Sequence, residues 1–150
     1  MNRLVISATF LSAFSVGAHE LRAQAPRQYV APRTVADTSA PPFSGGVLVG
    51  NTLYLAGKIG LTPDRKVPAT AEEEARLALT DVKSTLAAVG MTMDDLVSVQ
   101  IFCSDVSNYD AFNRVYRTFF TREFPARAFL GAGKLLFGAR FEVQGIAVKR

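Results

Sequence analysis

Two charged residues lie inside otherwise apolar segments near the C-terminus, and both residue types can take part in chemistry. Arg127 interrupts the apolar segment 124–130, and Glu142 interrupts the apolar segment 141–148. A guanidinium presents a planar fork of donors that suits a carboxylate. A partly buried carboxylate can hold or deprotonate a water molecule. The spacing leaves an alternative open, in which both side chains face solvent or pair with each other as a structural bridge.

The residues that are scarce narrow the chemistry further. His19 is the only histidine and lies near the N-terminus, and Cys103 is the only cysteine. A domain without histidine cannot use a Ser-His-Asp or Cys-His relay and lacks the commonest transition-metal ligand. A single cysteine in an apolar run excludes an intrachain disulfide and is typical of a buried, inert thiol. We therefore expect any catalysis to use Arg, Glu, Asn, hydroxyls, backbone groups and water, without a metal.

The N-terminus has the pattern of a secretory signal peptide. A short basic start ending at Arg3 precedes an apolar span from Leu4 to Ala18, and small residues recur at 16–18 and 23–25. The span is shorter than the roughly 20 residues of a transmembrane helix. We expect residues 1–25 to be a signal peptide cut after position 18, 23 or 25, and the mature protein to be periplasmic or secreted. An uncleaved anchor, or a start codon misassigned upstream of a cytoplasmic protein, remains the alternative.

Length and charge indicate one domain without a nucleic-acid partner. The chain has 150 residues, is 49% hydrophobic and carries a formal net charge of +4. This length suits a single core, which usually organises roughly 100–200 residues. The basic residues are dispersed, whereas nucleic-acid binding usually needs Lys and Arg clustered on one face. We expect a linker at 26–40, rich in Pro, Ser and Thr, and one domain at 41–150.

The elements that would position Arg127 and Glu142 follow from periodicity and capping. A Gly50-Asn51 turn joins two short β-rich runs, and Thr70 with Glu73 forms a capping box. The predicted elements are a hairpin of 47–49 and 52–57, a helix over 70–89, a strand over 96–103, a helix from Ser107 with Asp110 as its capping partner and ended by Pro125, and strands over 126–130 and 140–148.

This order, β-β-α-β-α-β-β, predicts an α+β fold with a single sheet and two helices packed on one face. Right-handed βαβ connections place both helices on the same side. The other face of the sheet then lacks a cover from this chain. Association with further copies of the chain is the simplest way to bury it.

Several motifs resemble the RidA/YjgF family, the reactive-intermediate imine deaminases. The resemblance covers about residues 41–150 and includes ordered motifs at compatible spacing. These are the opening strands at 45–60, the helix-to-strand junction at 89–97, the second helix at 112–120, the Phe-Pro-Ala-Arg stretch at 124–127 and the final strand at 142–148.

The resemblance implies a chorismate-mutase-like fold assembled as a homotrimeric barrel, with small-ligand clefts at the subunit interfaces. It implies cofactor-independent hydrolysis of 2-imino or enamine acids to 2-oxo acids and ammonia. By this resemblance Arg127 holds the substrate carboxylate, Glu142 positions a water, and Asn113 lies at the site. Backbone groups around Gly57 and Phe129 line the cleft. The implied partners are a small carboxylate or imino acid and two further copies of the chain, with no membrane after signal cleavage.

Five positions near the expected site depart from the pattern of many active members. Phe43 stands where a cleft tyrosine is common, Ala56 replaces a serine, and Lys58 replaces a glutamine. After the arginine, Ala128 and Phe129 replace a serine and a small or thiol residue. These changes predict a drier pocket that favours apolar substrate side chains. They leave a second hypothesis open, a non-catalytic trimeric binding module for small carboxylates or aromatic metabolites.

Overall fold

The computed structural model describes residues 25–150 except 32, 35 and 37. The signal-peptide prediction for the N-terminus therefore falls almost wholly outside the described residues. Nine regular elements form the fold. They are β1 (Arg27–Val30), β2 (Gly46–Val49), β3 (Thr52–Leu55), β4 (Lys58–Ile59), α1 (Ala71–Ala87), β5 (Leu96–Cys103), α2 (Tyr109–Tyr116), β6 (Ala126–Gly131) and β7 (Phe141–Val148).

The strands form one sheet in the order β1-β2-β3-β7-β5-β6, and β4 continues the β3 edge by pairing with β7. All neighbouring pairs are antiparallel except β5 and β6, which run parallel. The parallel pair is joined through α2, as a crossover requires. The predicted α+β fold with one sheet and two helices is confirmed.

The segment 26–40, predicted as a linker, contains a strand. Strand β1 pairs antiparallel with β2, with Arg27 opposite Val49 and Val30 opposite Gly46. Its side chains are mostly exposed, because β1 is an edge strand. Without a buried face it has no apolar alternation, and its sequence therefore gave no strand pattern.

Helix α1 begins as its sequence predicts. The backbone N–H of Glu73 donates to Thr70 Oγ1 at 3.2 Å. Small and branched residues at helical spacing form its buried face: Ala75, Ala78, Val82 and Leu86. Gly90 follows the helix with φ of +71°, a left-handed conformation that glycine adopts without a steric penalty.

Helix α2 begins and ends elsewhere than predicted. The proposed cap of Ser107 with Asp110 is wrong, because Asp105 accepts the N–H of Ser107 at 2.9 Å and starts a short 3₁₀ turn before the helix. The helix ends at Tyr116, well before Pro125, and a second 3₁₀ turn follows. This early end allows Phe120 to pack back on the Tyr116 ring, with centroids 4.7 Å apart.

The core lies between the helices and one face of the sheet. Phe112 of α2 contacts Phe141 of β7 with ring centroids 4.9 Å apart, and both are fully buried. No helix of the described residues lies on the opposite face, and there Tyr54 is 52% and Ile146 36% exposed. Among the described residues, no helix has the length and apolar character needed to cross a membrane.

Candidate functional site

Arg127 lies on the helix-facing side of β6. In the parallel pairing it is opposite Val99, a core residue with 2% exposure. Its guanidinium carbon is 4.7 Å from the ring centroid of Tyr116 and 5.8 Å from that of Tyr109. Both tyrosines belong to α2, so strand and helix together hold the cation between aromatic rings, an arrangement that favours a positive charge.

The N–H donors of the Arg127 guanidinium are not hydrogen-bonded to the described protein around it. Among the described residues, no carboxylate lies within ion-pair distance of Arg127 and no acceptor takes its N–H groups. A guanidinium carries five N–H donors in a fixed fork. Its contacts with the tyrosine rings restrict its position while leaving these donors available to an anion.

A pocket of about 210 Å³ opens beside this guanidinium. Its walls come from α2, the turn after it, the approach to β6 and β6 itself. The lining residues are Tyr109, Asn113, Tyr116, Arg117, Phe124, Pro125 and Arg127. The pocket therefore combines aromatic walls, one amide and two cations, and no acidic side chain lines it.

Tyr116 is the most buried of the pocket residues that carry a polar group. The residue is 4% exposed, and its hydroxyl has no hydrogen-bond partner within the described structure. Burial raises the pKa of Tyr116 to about 12, and the positive charge of Arg127 opposes part of that rise. The phenol therefore stays neutral at ordinary pH.

Glu142 lies on the other face of the sheet. It is opposite Phe102 of β5 and Ile59 of β4, whereas its neighbours Phe141 and Val143 point into the core. Because successive side chains of a strand alternate between faces, Glu142 belongs to the face that carries no helix.

The backbone at Gly57 is shaped around the Glu142 carboxylate. Tyr54 pairs with Ile146 and Lys58 pairs with Val143. The segment from β3 to β4 has one residue more between these pairs than β7 has, so it forms a β-bulge. A Cβ built on Gly57 would overlap Glu142 Oε1. Glycine at this position is therefore what lets the carboxylate lie against the strand.

Arg127 and Glu142 do not meet within one chain. Their partners on β5, Val99 and Phe102, are three residues apart, which is about 10 Å along a strand. Three steps also reverse the face of the sheet. A structural bridge between the two residues of one chain is therefore excluded, and the two charges reach a common ligand only if different copies supply them.

The other predicted site residues fall into two groups. Asn113 lines the pocket with Arg127. Phe43 is 57% exposed and Ala56 is half-buried, its N–H donating to Gly45 O at 3.2 Å. Phe43 precedes β2, Ala56 and Gly57 lie between β3 and β4, and none of the three lines the pocket.

Phe129 packs on the aromatic residues of α2. Its ring meets Tyr109 edge-on at 5.0 Å and Phe112 at 5.8 Å. It is not among the lining residues of the pocket. Phe129 instead supports Tyr109 from behind, and so shapes the pocket indirectly.

Sequence reasoning missed Arg117 and the pocket role of the aromatic residues. Tyr109 and Tyr116 recur at helical spacing among other aromatic residues of the second helix. That periodicity does not separate a ring that fills the core from one that carries a cation. Nothing in the local sequence marks Arg117 as a binding residue. Its pocket forms only when α2 and β6 pack together.

No metal centre is evident in the residues that the structure covers. Among them, no group of three or more His, Cys, Asp or Glu side chains is placed to hold an ion. The thiol of Cys103 is buried and donates to the Asp105 carbonyl, and burial raises its pKa. This thiol is therefore protonated at neutral pH.

Comparison with known proteins places these features in a family. The family model described as Endoribonuclease L-PSP matches residues 34–149. A 2-iminobutanoate/2-iminopropanoate deaminase of Capra hircus is 35% identical over 123 residues, which are 78% of this chain and 90% of the goat protein.

Two solved structures from Escherichia coli show the same fold. The YjgF gene product is 31% identical with a TM-score of 0.70, covering 80% of this chain and 94% of its own. TdcF with bound serine is 28% identical with a TM-score of 0.70, covering 74% and 91%. With most of its length matched by the family model and by these relatives, the chain belongs to the Endoribonuclease L-PSP family, which is the RidA/YjgF family that its motifs resemble.

Proposed function

We propose that the protein hydrolyses 2-imino acids, the tautomers of reactive enamines, to 2-oxo acids and ammonia in clefts between the subunits of a homotrimer. The observation that carries this proposal is Arg127, whose guanidinium lies over two tyrosine rings beside a pocket and has no anion partner among the described residues. The goat relative is named as a deaminase of small 2-imino acids, which is the same chemistry.

The pocket favours a small molecule over RNA, although the description of the family model refers to RNA cleavage. Its volume of about 210 Å³ is below that of sites for drug-sized ligands, which are roughly 300–1,000 Å³. A small carboxylate would present two oxygens to the fork of Arg127 in a bidentate pair. Serine bound to the related TdcF is itself a small carboxylate.

In the proposed mechanism Arg127 orients the substrate and offsets its negative charge. Glu142, from a neighbouring copy, holds a water against the imine carbon, which is electrophilic when the nitrogen is protonated. The water adds to this carbon and gives one proton to Glu142. The nitrogen then takes up that proton, the C–N bond breaks and ammonia leaves. The new hydroxyl gives its proton to Glu142, from which water or ammonia removes it, and the carbon becomes the carbonyl of the 2-oxo acid. Because imine hydrolysis is intrinsically fast, orientation and a held water are sufficient.

The homotrimer is supported by two features of the single chain. The helix-free face exposes Tyr54 and Ile146, apolar surface that association would remove from water. Arg127 and Glu142 lie on opposite faces, so a site that uses both needs two copies. Size-exclusion chromatography with light scattering would test this, and a stable monomer would contradict it.

The first experiment is to measure ammonia and 2-oxo acid release from freshly generated imino acids, with wild type and Arg127→Ala. Because the variant loses a charge-assisted bidentate pair, we expect a drop in kcat/KM of about 100-fold, equivalent to about 2.7 kcal/mol. Arg114→Ala is the matched control, since Arg114 is a surface arginine paired with Glu72 at 2.6 Å.

The same assay decides between the enzyme and the binding module. Acceleration by wild type that disappears in Arg127→Ala supports the deaminase. A folded trimer that accelerates nothing but binds small carboxylates in an Arg127-dependent way supports the non-catalytic module. Equal behaviour of the wild type and the variant in both turnover and binding would contradict any grip by this arginine.

A mixing experiment tests whether two copies build each site. Arg127→Ala and Glu142→Gln are each expected to be inactive alone. When the two are co-expressed with different tags, a site is intact wherever a copy that retains Arg127 meets a copy that retains Glu142. Random mixing in equal amounts should restore about one quarter of wild-type activity. If isolated mixed trimers regain no activity, each site must take Arg127 and Glu142 from the same chain, and the two-copy site is refuted.

We also propose that the protein is exported and that residues 1–25 are removed. The support is the basic start, the apolar span and the small residues before position 26. Mass spectrometry of the protein from fractionated native cells should find an N-terminus after Ala18, Ala23 or Ala25 in the periplasmic or secreted fraction. A full-length protein confined to the cytoplasm would refute export.

A further inference from the structure

We infer that the substrate is a dicarboxylic 2-imino acid, whose second carboxylate is bound by Arg117. This inference rests on the proposed deaminase function and specifies the substrate class of the same site. Arg117 follows the last residue of α2, and its guanidinium is the second cation on the pocket wall.

The two arginines are held in the same manner on neighbouring rings. The guanidinium carbon of Arg127 is 4.7 Å from the centroid of Tyr116, and that of Arg117 is 5.8 Å from the centroid of Phe124. The two rings are themselves stacked, with centroids 6.1 Å apart and planes inclined by 25°. One aromatic platform thus presents two separate guanidinium groups to one cavity.

Within one chain, no described Asp or Glu lines the pocket, and neither arginine has an ion pair among the described residues. In the proposed cleft Glu142 of a neighbouring copy adds one carboxylate, which leaves an excess of one positive charge. The contrast is on the same helix, where Arg114 is paired with Glu72. Two like charges facing one cavity repel each other, and a ligand with two carboxylates relieves this repulsion more than a ligand with one.

Within one chain Phe129 packs edge-on against Tyr109 and does not line the pocket. The apolar preference expected from Phe43 and Phe129 stays a prediction, and Arg117 adds a charged group to the pocket wall. Arg117 is exposed, so water screens its charge in part, and its effect on binding is expected at the lower end of charge-assisted contacts.

The test compares imino acids generated in situ by an amino-acid oxidase from aspartate and from alanine. Arg117→Gln should lower kcat/KM about tenfold for the dicarboxylic substrate and less than twofold for the monocarboxylic one. The loss should appear as a higher KM with kcat retained, because a remote carboxylate contributes equally to ground-state and transition-state binding. Arg114→Gln is the control and should change neither substrate.

The outcomes separate this inference from the proposed function. If wild type turns over both substrates and Arg117→Gln affects them equally or not at all, the substrate assignment is overturned while the deaminase stands. If wild type turns over neither, the deaminase is overturned, and calorimetric titration with succinate and propionate decides the second anion site. Tighter binding of succinate that Arg117→Gln abolishes supports it, and equal affinities for the two acids overturn it.

Discussion

Arg127 and Arg140 are both half-buried arginines associated with strands, and they are used in opposite ways. Arg140, at the start of β7, donates from Nη1 to Glu74 Oε2 at 2.8 Å and to Pro68 O at 3.0 Å. Its Nη2 donates to Ala69 O at 3.2 Å. Arg127 contacts aromatic rings instead, and no acceptor among the described residues takes its N–H groups.

Glu74 completes the enclosed network around Arg140. The carboxylate is fully buried and accepts the backbone N–H of Arg140 at 2.6 Å and of Phe141 at 3.0 Å in addition to the guanidinium. These bonds tie α1 to the start of β7. A buried charge is tolerated here because its partners meet its hydrogen-bonding capacity.

The difference between the two arginines separates a structural role from a binding role. A guanidinium whose donors are taken up by the protein has nothing left to offer a ligand. A guanidinium that contacts the protein only through its flat face keeps its N–H donors available to a ligand, at little cost to the stability of the fold. The two arginines have the same charge and similar burial, and they differ in how many of their N–H donors are hydrogen-bonded within the protein.

The largest expected effect is a loss of stability when the hydrogen-bond network around Arg140 is broken. Glu74→Ala leaves the Arg140 guanidinium and two backbone N–H groups without their acceptor, and should lower the free energy of unfolding by about 3–5 kcal/mol. Urea denaturation measures this, with Glu73→Ala as control, because Glu73 is exposed and its removal should change stability by about 0.5 kcal/mol or less. If Glu74→Ala lowers the free energy of unfolding by less than about 1 kcal/mol, the network around Arg140 is not structural and the contrast with Arg127 fails.

Lysine at each arginine position sharpens the comparison. Arg140→Lys retains a charge for Glu74 but gives up the bonds to Pro68 and Ala69, and should cost about 1–2 kcal/mol of stability. Arg127→Lys should change stability by less than about 1 kcal/mol, since only contacts between the cation and the rings are altered. It should instead raise KM about tenfold, because a point charge cannot form the bidentate pair. Comparable destabilisation in both variants would show that Arg127 is structural.

The smallest effect is expected at Tyr116, whose ring supports Arg127. Tyr116→Phe retains the ring and removes a buried hydroxyl that has no partner, so stability at neutral pH should be unchanged or raised by up to about 1 kcal/mol.

The pH dependence of the same variant has a definite sign. The unfolded chain releases the Tyr116 proton at the ordinary pKa of 10.0, whereas the folded chain holds it until about 12. Wild type should therefore lose stability relative to Tyr116→Phe as pH rises from 10 to 12, with no such difference below pH 10. Parallel stability curves across this range would show that the phenol is not buried in solution.

The sequence predicted Arg127 and Glu142 as candidates because each is a charge inside an apolar strand. The same reasoning passed over Glu74. Its position was nevertheless informative, because Ala71 and Ala78 lie one turn away on the buried face of α1. A carboxylate at core spacing needs a buried partner, but the partner is 66 residues away in the chain and could not be read from local spacing.

Local chemistry determined the elements of this protein. The Gly50-Asn51 turn, the Thr70 cap and the apolar run 96–103 specified a hairpin, a helix and a strand whose bounds the structure largely retains. Each depends on residues within a few positions of one another, so the sequence alone contains the information.

Tertiary structure decided which face each functional residue occupies. The face of Arg127 follows from its register against Val99, and that of Glu142 from its register against Phe102. Both registers are set by packing across the sheet, and a shift of one residue would reverse either face. For this reason the sequence could name the two charges, whereas only the folded sheet showed that one chain cannot bring them together.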